Sequence, residues 1–297
     1  MEDFILMKRY NQILIWIGLV SSILASCQRE KIVISELEPE FKIATHCYFD
    51  ADAGNKITCK IFPSLPVFGN TNQEIKPINN AKVEIGNKGQ WLELIFDDVN
   101  QDYRTIPPTD FIEDGSTYEL KISHADYPIA YSSIQLIPKY TTNEINGKIS
   151  LINSVSDSIK KLKYEISWQD DSRGSNYYRV IPQVGYINVD FPTDTFYMPP
   201  NYGKLILLTD QNKKENKVEW NDISDFYSFG ENGFKPICIK INILNIDRTY
   251  YDYHMMIPKL SSDGTFIEPT FFNGNITNSF GIFAACNGLS EKTFPLE

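Results

Sequence analysis

The residues that most clearly carry chemistry are Leu24-Ala25-Ser26-Cys27, because a thiol placed directly after this tripeptide is a target for acylation. The four positions resemble the bacterial lipobox, in which the cysteine is lipidated and the preceding segment is removed. The apolar run that follows Lys8 and Arg9 holds about a dozen residues, fewer than the roughly 20 that a membrane-spanning helix needs. We therefore predict that residues 1–26 are a signal peptide and that Cys27 is the lipidated first residue of the mature protein.

Residues 27–40 are predicted to form the lipid anchor and a tether that contains the charged stretch Gln28-Arg29-Glu30-Lys31. Membrane lipid would then be one partner of the protein, contacted through the acylated Cys27. The alternative is an ordinary signal peptide with a chance cysteine at its cleavage site.

Other reactive chemistry has no motif in this sequence. The nucleophile elbow Gly-x-Ser-x-Gly and the zinc-binding helix His-Glu-x-x-His are both absent. The three histidines, His46, His124 and His254, are far apart, and no Cys-x-x-Cys pair occurs. We therefore predict a protein that is not an enzyme and that has no metal site and no cofactor.

Four further cysteines, Cys47, Cys59, Cys238 and Cys286, can pair in three ways in an oxidising compartment. Cys47 and Cys59 lie on neighbouring predicted strands that a turn rich in Asp, Gly and Asn connects, so a disulfide between them is geometrically reasonable. A disulfide between Cys238 and Cys286 would tie the second half of the chain to its own C-terminal segment. The alternative is that all four are buried thiols.

Tyrosines are the candidate ligand-contact residues, since flat rings beside polar groups form platforms for sugars or peptides. The candidates are Tyr177, Tyr178, Tyr250, Tyr251 and Tyr253. Core packing is the competing interpretation, because at least one ring in each group falls on an inward-facing position. The charge balance argues against a nucleic-acid partner, since the net charge is -10 and the acidic residues are scattered.

The elements that must position these residues are mostly strands. Aromatics make up 13% of the chain and Ile, Val and Thr are frequent, a composition that suits pleated, half-buried surfaces. The predicted strands cover residues 41–49, 57–62, 81–85, 91–96, 118–122, 130–137, 145–152, 162–168, 177–181, 204–208, 237–244 and 280–285. Short alternating strands with frequent turns indicate a mainly β protein of sandwich type.

We predict two β-sandwich-like domains, of which the first is immunoglobulin-like. Residues 41–140 form the N-terminal domain, and residues 141–297 form a mainly β C-terminal domain; Pro138 and the polar residues 141–143 mark the boundary.

One short helix is predicted near the C-terminus. Tyr250, Tyr253, His254 and Ile257 share one face at helical spacing, Asp247 can cap the first turn, and Pro258 is expected to end the helix. The segment from Phe272 to Ala285 follows and carries apolar residues on both faces of its final strand. We therefore expect this segment, including Phe283, to be buried in the core of the second domain.

The order of several segments resembles a family of Bacteroidota outer-membrane lipoproteins, domain of unknown function 4249. The matching segments are 41–49, 80–85, 115–120, 170–180, 247–260, 272–276 and 280–285. The resemblance implies an outer-membrane protein and a role beside TonB-dependent nutrient transporters, but it implies no activity. The mixed charges of residues 28–31 differ from the acidic run that surface-exported relatives often carry, so the cell surface and the periplasmic face both remain open.

The leading functional hypothesis is a non-enzymatic lipoprotein that acts as an accessory or interaction subunit at the outer membrane, with a TonB-dependent transporter as its partner. One alternative is a glycan- or peptide-binding surface lipoprotein, and another is an adhesin or fimbrial anchor. Ser158 lies in Asp157-Ser158-Ile159, which resembles the tripeptide O-glycosylation signal of exported Bacteroidota proteins, and it is a candidate modification site.

Overall fold

The computed structural model describes most of the chain beyond residue 41. The described residues are 42–50, 56–64, 76–136, 141–142, 144–152, 159–170, 174–190, 192–200, 205–212, 216–227, 233–261 and 274–296. Within them the protein is mainly β, with strands in sandwich-like layers and one α-helix. The predicted fold class is therefore confirmed, while the immunoglobulin-like character of the first sandwich stays a prediction. The signal peptide, Cys27 and the tether of residues 27–40 lie outside the described residues, as does Ser158.

The strands and the helix are numbered in chain order. The first seven strands are β1 (Ile43–Asp50), β2 (Lys56–Pro63), β3 (Lys82–Asn87), β4 (Gln90–Asp97), β5 (Asp102–Thr105), β6 (Thr117–His124) and β7 (Tyr127–Gln135). The others are β8 (Asn146–Ile152), β9 (Ile159–Gln169), β10 (Tyr177–Asn188), β11 (Thr195–Met198), β12 (Ile206–Thr209), β13 (Lys217–Tyr227), β14 (Phe234–Ile246) and β15 (Ser279–Pro295), and α1 (Arg248–Ser261) precedes β15.

The N-terminal strands form a sheet that curls over one buried cluster. Neighbouring strands follow the order β15-β1-β2-β5-β4-β3-β6-β7. Phe49 of β1, Ile85 of β3 and Tyr118 of β6 belong to the same core, so the two ends of this series face each other as layers of a sandwich. A short antiparallel bridge between Tyr131 and Thr277 also joins β7 to the segment that leads into β15.

The second half of the chain builds another sandwich-like pair of layers. One layer continues the long sheet through β14 and β10, with β11 and β12 on the outer edge of β10. The other layer is the three-stranded sheet β13-β9-β8. Trp168 and Trp220 from the smaller sheet pack with Val180 and Ile241 from the larger one, because each strand turns its alternate apolar residues to the space between the layers.

Strand β15 belongs to both halves of the molecule. Its first residues pair parallel with β1 from Ser279 to Cys286, and its later residues pair antiparallel with β14 as far as Pro295. The described strands on either side of residue 140 therefore share one continuous sheet, although each half has its own buried cluster. The domain division at residue 140 stays a prediction.

The beginning of β15 is buried on both faces, as its sequence predicts. Phe283 and Ala285 face the N-terminal cluster, while Ile282 and Ala284 face a third cluster beneath α1. The prediction that Phe283 lies in the second domain's core was wrong, because parallel pairing with β1 brings its side chain into the N-terminal core. Phe280 also differs from the expected pattern, since its side chain is 48% exposed.

Gly281 makes the close pairing of β15 with β1 possible. A Cβ added at this position would lie 1.9 Å from the carbonyl oxygen of Thr45, and the φ angle is +116°. Glycine alone tolerates both conditions without strain.

Helix α1 begins as predicted but ends later. The carboxylate of Asp247 accepts a hydrogen bond of 2.6 Å from the backbone N–H of Tyr250, which is the expected cap of the first turn. The helix runs past Pro258 to Ser261, so the prediction that this proline ends it was wrong. A proline inside a helix removes one backbone hydrogen bond and crowds the preceding turn, a cost that weakens or kinks a helix without always ending it.

Sequence patterns did not reveal three strands, β5, β11 and β13. β5 and β11 have only four residues each, too few to show a period. In β13 the alternation of apolar and polar residues is interrupted, because the polar Ser224 is buried on the inward face and the apolar Ile223 is exposed on the outward face. No helix in the described part of the chain is both long and apolar enough to cross a lipid bilayer.

Candidate functional site

Helix α1 covers a cluster of tyrosine and histidine side chains on the outer face of β1. A hydrogen bond of 2.5 Å joins the hydroxyl of Tyr253 to Nε2 of His46. A longer one, 3.3 Å, joins the hydroxyl of Tyr48 to Nε2 of His254. These pairs connect residues about 200 positions apart in the chain and fasten the helix to the sheet.

The charge states of this cluster favour docking of the helix. Burial, followed by the nearby Arg179 and His46, lowers the pKa of His254 to about 4, so its imidazole is neutral at neutral pH. Burial raises the pKa of Tyr250 to about 12, and its hydroxyl accepts a hydrogen bond of 2.6 Å from the guanidinium of Arg179. The side chains of this cluster therefore interact with one another, as expected where a helix packs on a sheet.

Asp247 sits at the junction of α1 with β15. One carboxylate oxygen caps the helix, and the other accepts a hydrogen bond of 2.7 Å from the backbone N–H of Ala285. Burial raises the pKa of this carboxyl group to about 6, against the effect of the backbone hydrogen bonds, which lower it. Asp247 therefore links the helix to the strand that both sandwiches share.

Most of the predicted ligand-contact tyrosines are core residues. Tyr178 is 1% exposed and donates a hydrogen bond of 2.5 Å to Asp170, and Tyr250 and Tyr253 are also buried. Such rings cannot form an open platform, so the ligand-contact prediction was wrong for these three. Tyr177 and Tyr251 keep partly exposed surfaces and contact each other with ring centroids 5.1 Å apart, and their ligand role stays a prediction.

The structure separates the cysteines into one close pair and two distant residues. None of the four described cysteines forms a disulfide in the structure. Cys47 and Cys59 are direct register partners in β1 and β2, and burial together with the neighbouring Cys59 raises the pKa of the Cys47 thiol. Cα atoms at such positions lie about 4.5 to 5.5 Å apart, within the range of a disulfide, so this pairing stays a prediction.

The predicted disulfide between Cys238 and Cys286 was wrong. Cys286 pairs with Ile246 and Cys238 pairs with Pro295, so the two thiols lie at opposite ends of the β14–β15 ladder. Eight residues of strand separate them by about 26 Å, whereas a disulfide requires Cα atoms within about 7 Å.

An open groove lies on the solvent face of the N-terminal sheet. It has a volume of about 580 Å³ and is lined by Trp91, Glu119, Leu120, Lys121, Tyr131, Ser132, Ser133, Asn275 and Thr277. We call it the Trp91–Tyr131 groove, after the two rings that border it. Both rings are half exposed, Trp91 at 45% and Tyr131 at 46%.

Strand register assembles this groove from four strands. Trp91, Gly86, Glu119 and Ser133 form one row across β4, β3, β6 and β7. The next row contains Lys121 and Tyr131, which are register partners in β6 and β7. Aromatic rings therefore stand at diagonally opposite corners, with a carboxylate, an ammonium group and a hydroxyl between them.

Sequence reasoning missed Trp91 and Tyr131 as site residues, although both lie in predicted strands. The available signal was their position in the alternation, since each shares the outward face of its strand with polar residues, Glu93 and Ser133. A single exposed ring is common on protein surfaces, and only rings that lie together mark a candidate contact surface. Only the register shows that the two rings border the same groove.

The described residues offer no metal centre, since no group of three His, Cys, Asp or Glu side chains among them could hold an ion. Fold and surface together define a mainly β protein with sandwich-like layers, one docked helix and an aromatic-bordered groove. The chain belongs to the family described as Domain of unknown function (DUF4249), whose family model matches residues 30–292.

No curated protein matches the chain. Among solved structures, it is similar to a crystal structure of a mutant of Salmonella alpha-2-macroglobulin, with 8% sequence identity and a TM-score of 0.24. The match covers 70% of this chain and 14% of that protein, so the chain spans only a small part of its length.

Proposed function

We propose that the protein is a non-enzymatic lipoprotein of the outer membrane, anchored by an acylated Cys27, that binds a ligand as the accessory subunit of a TonB-dependent transporter. The Trp91–Tyr131 groove is the observation that carries this proposal. Large apolar rings beside a few polar groups are typical of binding sites, and this groove presents both to solvent.

The other concentration of polar and aromatic groups supports binding at the groove rather than chemistry beneath the helix. His46, Tyr48, Tyr253 and His254 satisfy one another across the α1 junction, and the helix covers them. Substrate access would require the helix to leave the sheet. The anchor and the transporter partner are supported by the lipobox-like sequence that ends at Cys27 and by the resemblance of the segments quoted above.

Lipid anchoring is tested by labelling cells with a radioactive fatty acid. We expect label in the wild-type protein and none in Cys27→Ala, because one thiol supplies the attachment point and each buried methylene contributes about 0.8 kcal/mol to membrane binding. Label in the Cys27→Ala protein would refute the anchor.

The transporter partnership is tested by purifying the tagged protein from envelopes solubilised in a mild detergent. A TonB-dependent transporter should co-purify with the wild-type protein, and mass spectrometry identifies it. Cys27→Ala serves as the control, since a protein released from the membrane should recover far less transporter. Absence of any transporter from wild-type preparations would contradict the partnership.

A further inference from the structure

The indole ring of Trp91 lies flat on the sheet, over Gly86. A Cβ added to Gly86 would lie 3.0 Å from each of three consecutive atoms of the six-membered ring of Trp91. A point equally distant from three ring atoms lies on the axis through the ring centre, so the indole lies face down on Gly86. Its opposite face is turned to solvent, which accounts for the half-exposed side chain.

The two rings are too far apart to stack on a single small ring. Because the Trp91 ring lies over Gly86, two strand spacings of about 4.8 Å and an offset of two residues, about 7 Å, put this ring about 12 Å from the Cα atom of Tyr131. A ligand that contacts both must be elongated. The groove of about 580 Å³ is of the size that holds such a molecule.

The polar groups of the groove favour a neutral ligand with many hydroxyls. Glu119 can accept hydrogen bonds, Lys121 can donate them, and Ser133 can do both. Glu119 and Lys121 are the charged residues of the lining, and the ammonium group of Lys121 also lies 3.8 Å from the carboxylate of Glu84. A strongly anionic or cationic ligand would therefore meet a like charge inside the groove.

The two central strands beneath the groove, β3 and β6, are paired on both sides, which disfavours strand addition by an extended peptide between them. β3 pairs with β4 and β6, and β6 pairs with β3 and β7. β7 is an edge strand of the sheet, but at the groove Tyr131 exchanges backbone hydrogen bonds with Thr277, and the hydroxyl of Ser132 donates to the carbonyl of Asn275. A peptide that binds by strand addition needs a free edge, so a ligand lying over these strands would contact their side chains instead.

We infer that the Trp91–Tyr131 groove binds a neutral oligosaccharide. The apolar faces of two sugar rings would lie on Trp91 and Tyr131, and the hydroxyls between them would bond to Glu119, Lys121 and Ser133. This inference rests on the proposed function, since it names the ligand class of the same groove.

The test uses the detergent-solubilised full chain and titration calorimetry. The probes are cellotriose, maltotriose, mannotriose, xylotriose and triacetylchitotriose, with trigalacturonate as an anionic probe and a tripeptide library as a second class. We expect one or more neutral trisaccharides to bind, and Trp91→Ala and Tyr131→Ala to weaken that binding by more than about tenfold each, as truncation of a central aromatic contact does.

Two further variants separate the groove from general effects on folding. Ile95→Ala removes a 73% exposed apolar side chain from the same face of β4 and should leave affinity unchanged. Gly86→Val keeps the Trp91 side chain but displaces its ring from the sheet, so it should also weaken binding. Melting curves establish that each variant folds.

The possible results distinguish a wrong ligand class from the absence of any ligand binding at the groove. Binding of tripeptides that depends on Trp91 and Tyr131, without binding of any neutral trisaccharide, overturns the oligosaccharide and leaves a ligand-binding groove. Preference for trigalacturonate overturns the neutral class in the same way. If neither class binds, or if binding is equal in wild-type, Trp91→Ala and Tyr131→Ala proteins, the groove is not a ligand site and the ligand-binding part of the proposed function fails with it. Fatty-acid labelling and co-purification decide the anchor and the transporter partnership separately.

Discussion

Replacing Phe283 by Ala should destabilise both halves of the protein. The side chain is 0% exposed, and its backbone N–H and carbonyl are both bonded to the amide of Asn275, at 2.8 and 2.7 Å. A buried Phe removes roughly 150 Å² or more of apolar area from water, which at about 25 cal/mol per Å² corresponds to about 4 kcal/mol. Measured Phe→Ala changes in cores fall in the same range of about 3–5 kcal/mol.

Phe280→Ala is the matched control. It makes the same chemical change on the same strand, but the Phe280 side chain is 48% exposed. No closed cavity remains after its removal, so a loss of about 1 kcal/mol or less is expected.

Urea denaturation measured by tryptophan fluorescence and by far-UV circular dichroism tests this prediction. Both Phe variants are made in a Trp91→Phe background, so that fluorescence reports mainly Trp168 and Trp220 of the C-terminal cluster, whereas Phe283 packs in the N-terminal one. Because β15 is shared, Phe283→Ala should lower the fluorescence midpoint as well as the dichroism midpoint. Equal stability of the Phe283→Ala and Phe280→Ala proteins would refute the burial argument, and an unchanged fluorescence transition would refute the coupling between the clusters.

The buried Asp247 should give the protein a specific pH dependence. Its folded-state pKa of about 6 is above the usual aspartate value of 3.8, so the protonated form favours folding below about pH 4 and that contribution is lost as pH rises through 6. The unfolding free energy of the wild type minus that of Asp247→Asn, measured with urea, should therefore be about 2.4 kcal/mol more positive at pH 4 than at pH 7; a constant difference would contradict it. Cys47 and Cys59 should form a disulfide in protein isolated from the oxidising envelope, and Cys238 and Cys286 should remain unbridged. Peptide mapping without reduction, after alkylation of free thiols, checks both, and alkylated Cys47 and Cys59 would show that the pair stays reduced.

Local patterns predicted the elements that have a clear period. In β9, Leu162, Tyr164, Ile166 and Trp168 are buried at every second position, as the alternation requires. The start of α1 could also be predicted from nearby residues, since Asp247 accepts a hydrogen bond from the backbone N–H of Tyr250, three positions later. The alternation of buried residues and the capping of a helix depend on residues a few positions away, so a short stretch of sequence is enough to predict them.

The groove and the disulfide candidates needed information that no short segment carries. Trp91 and Tyr131 share one groove only because β4, β3, β6 and β7 adopt a particular register. Cys238 and Cys286 are far apart for the same kind of reason, because they occupy opposite ends of one ladder. A shift of one residue in any of these pairings would turn each side chain to the other face of its sheet.

The sequence by itself determined that the protein is mainly β, that one capped helix lies near its C-terminus and that the segment around Phe283 is buried. Tertiary structure alone decided that this segment completes the N-terminal core, because β15 pairs with β1 more than 200 residues earlier in the chain. Burial on both faces is visible as a run of apolar residues, but the partner on each face is chosen by packing between distant strands.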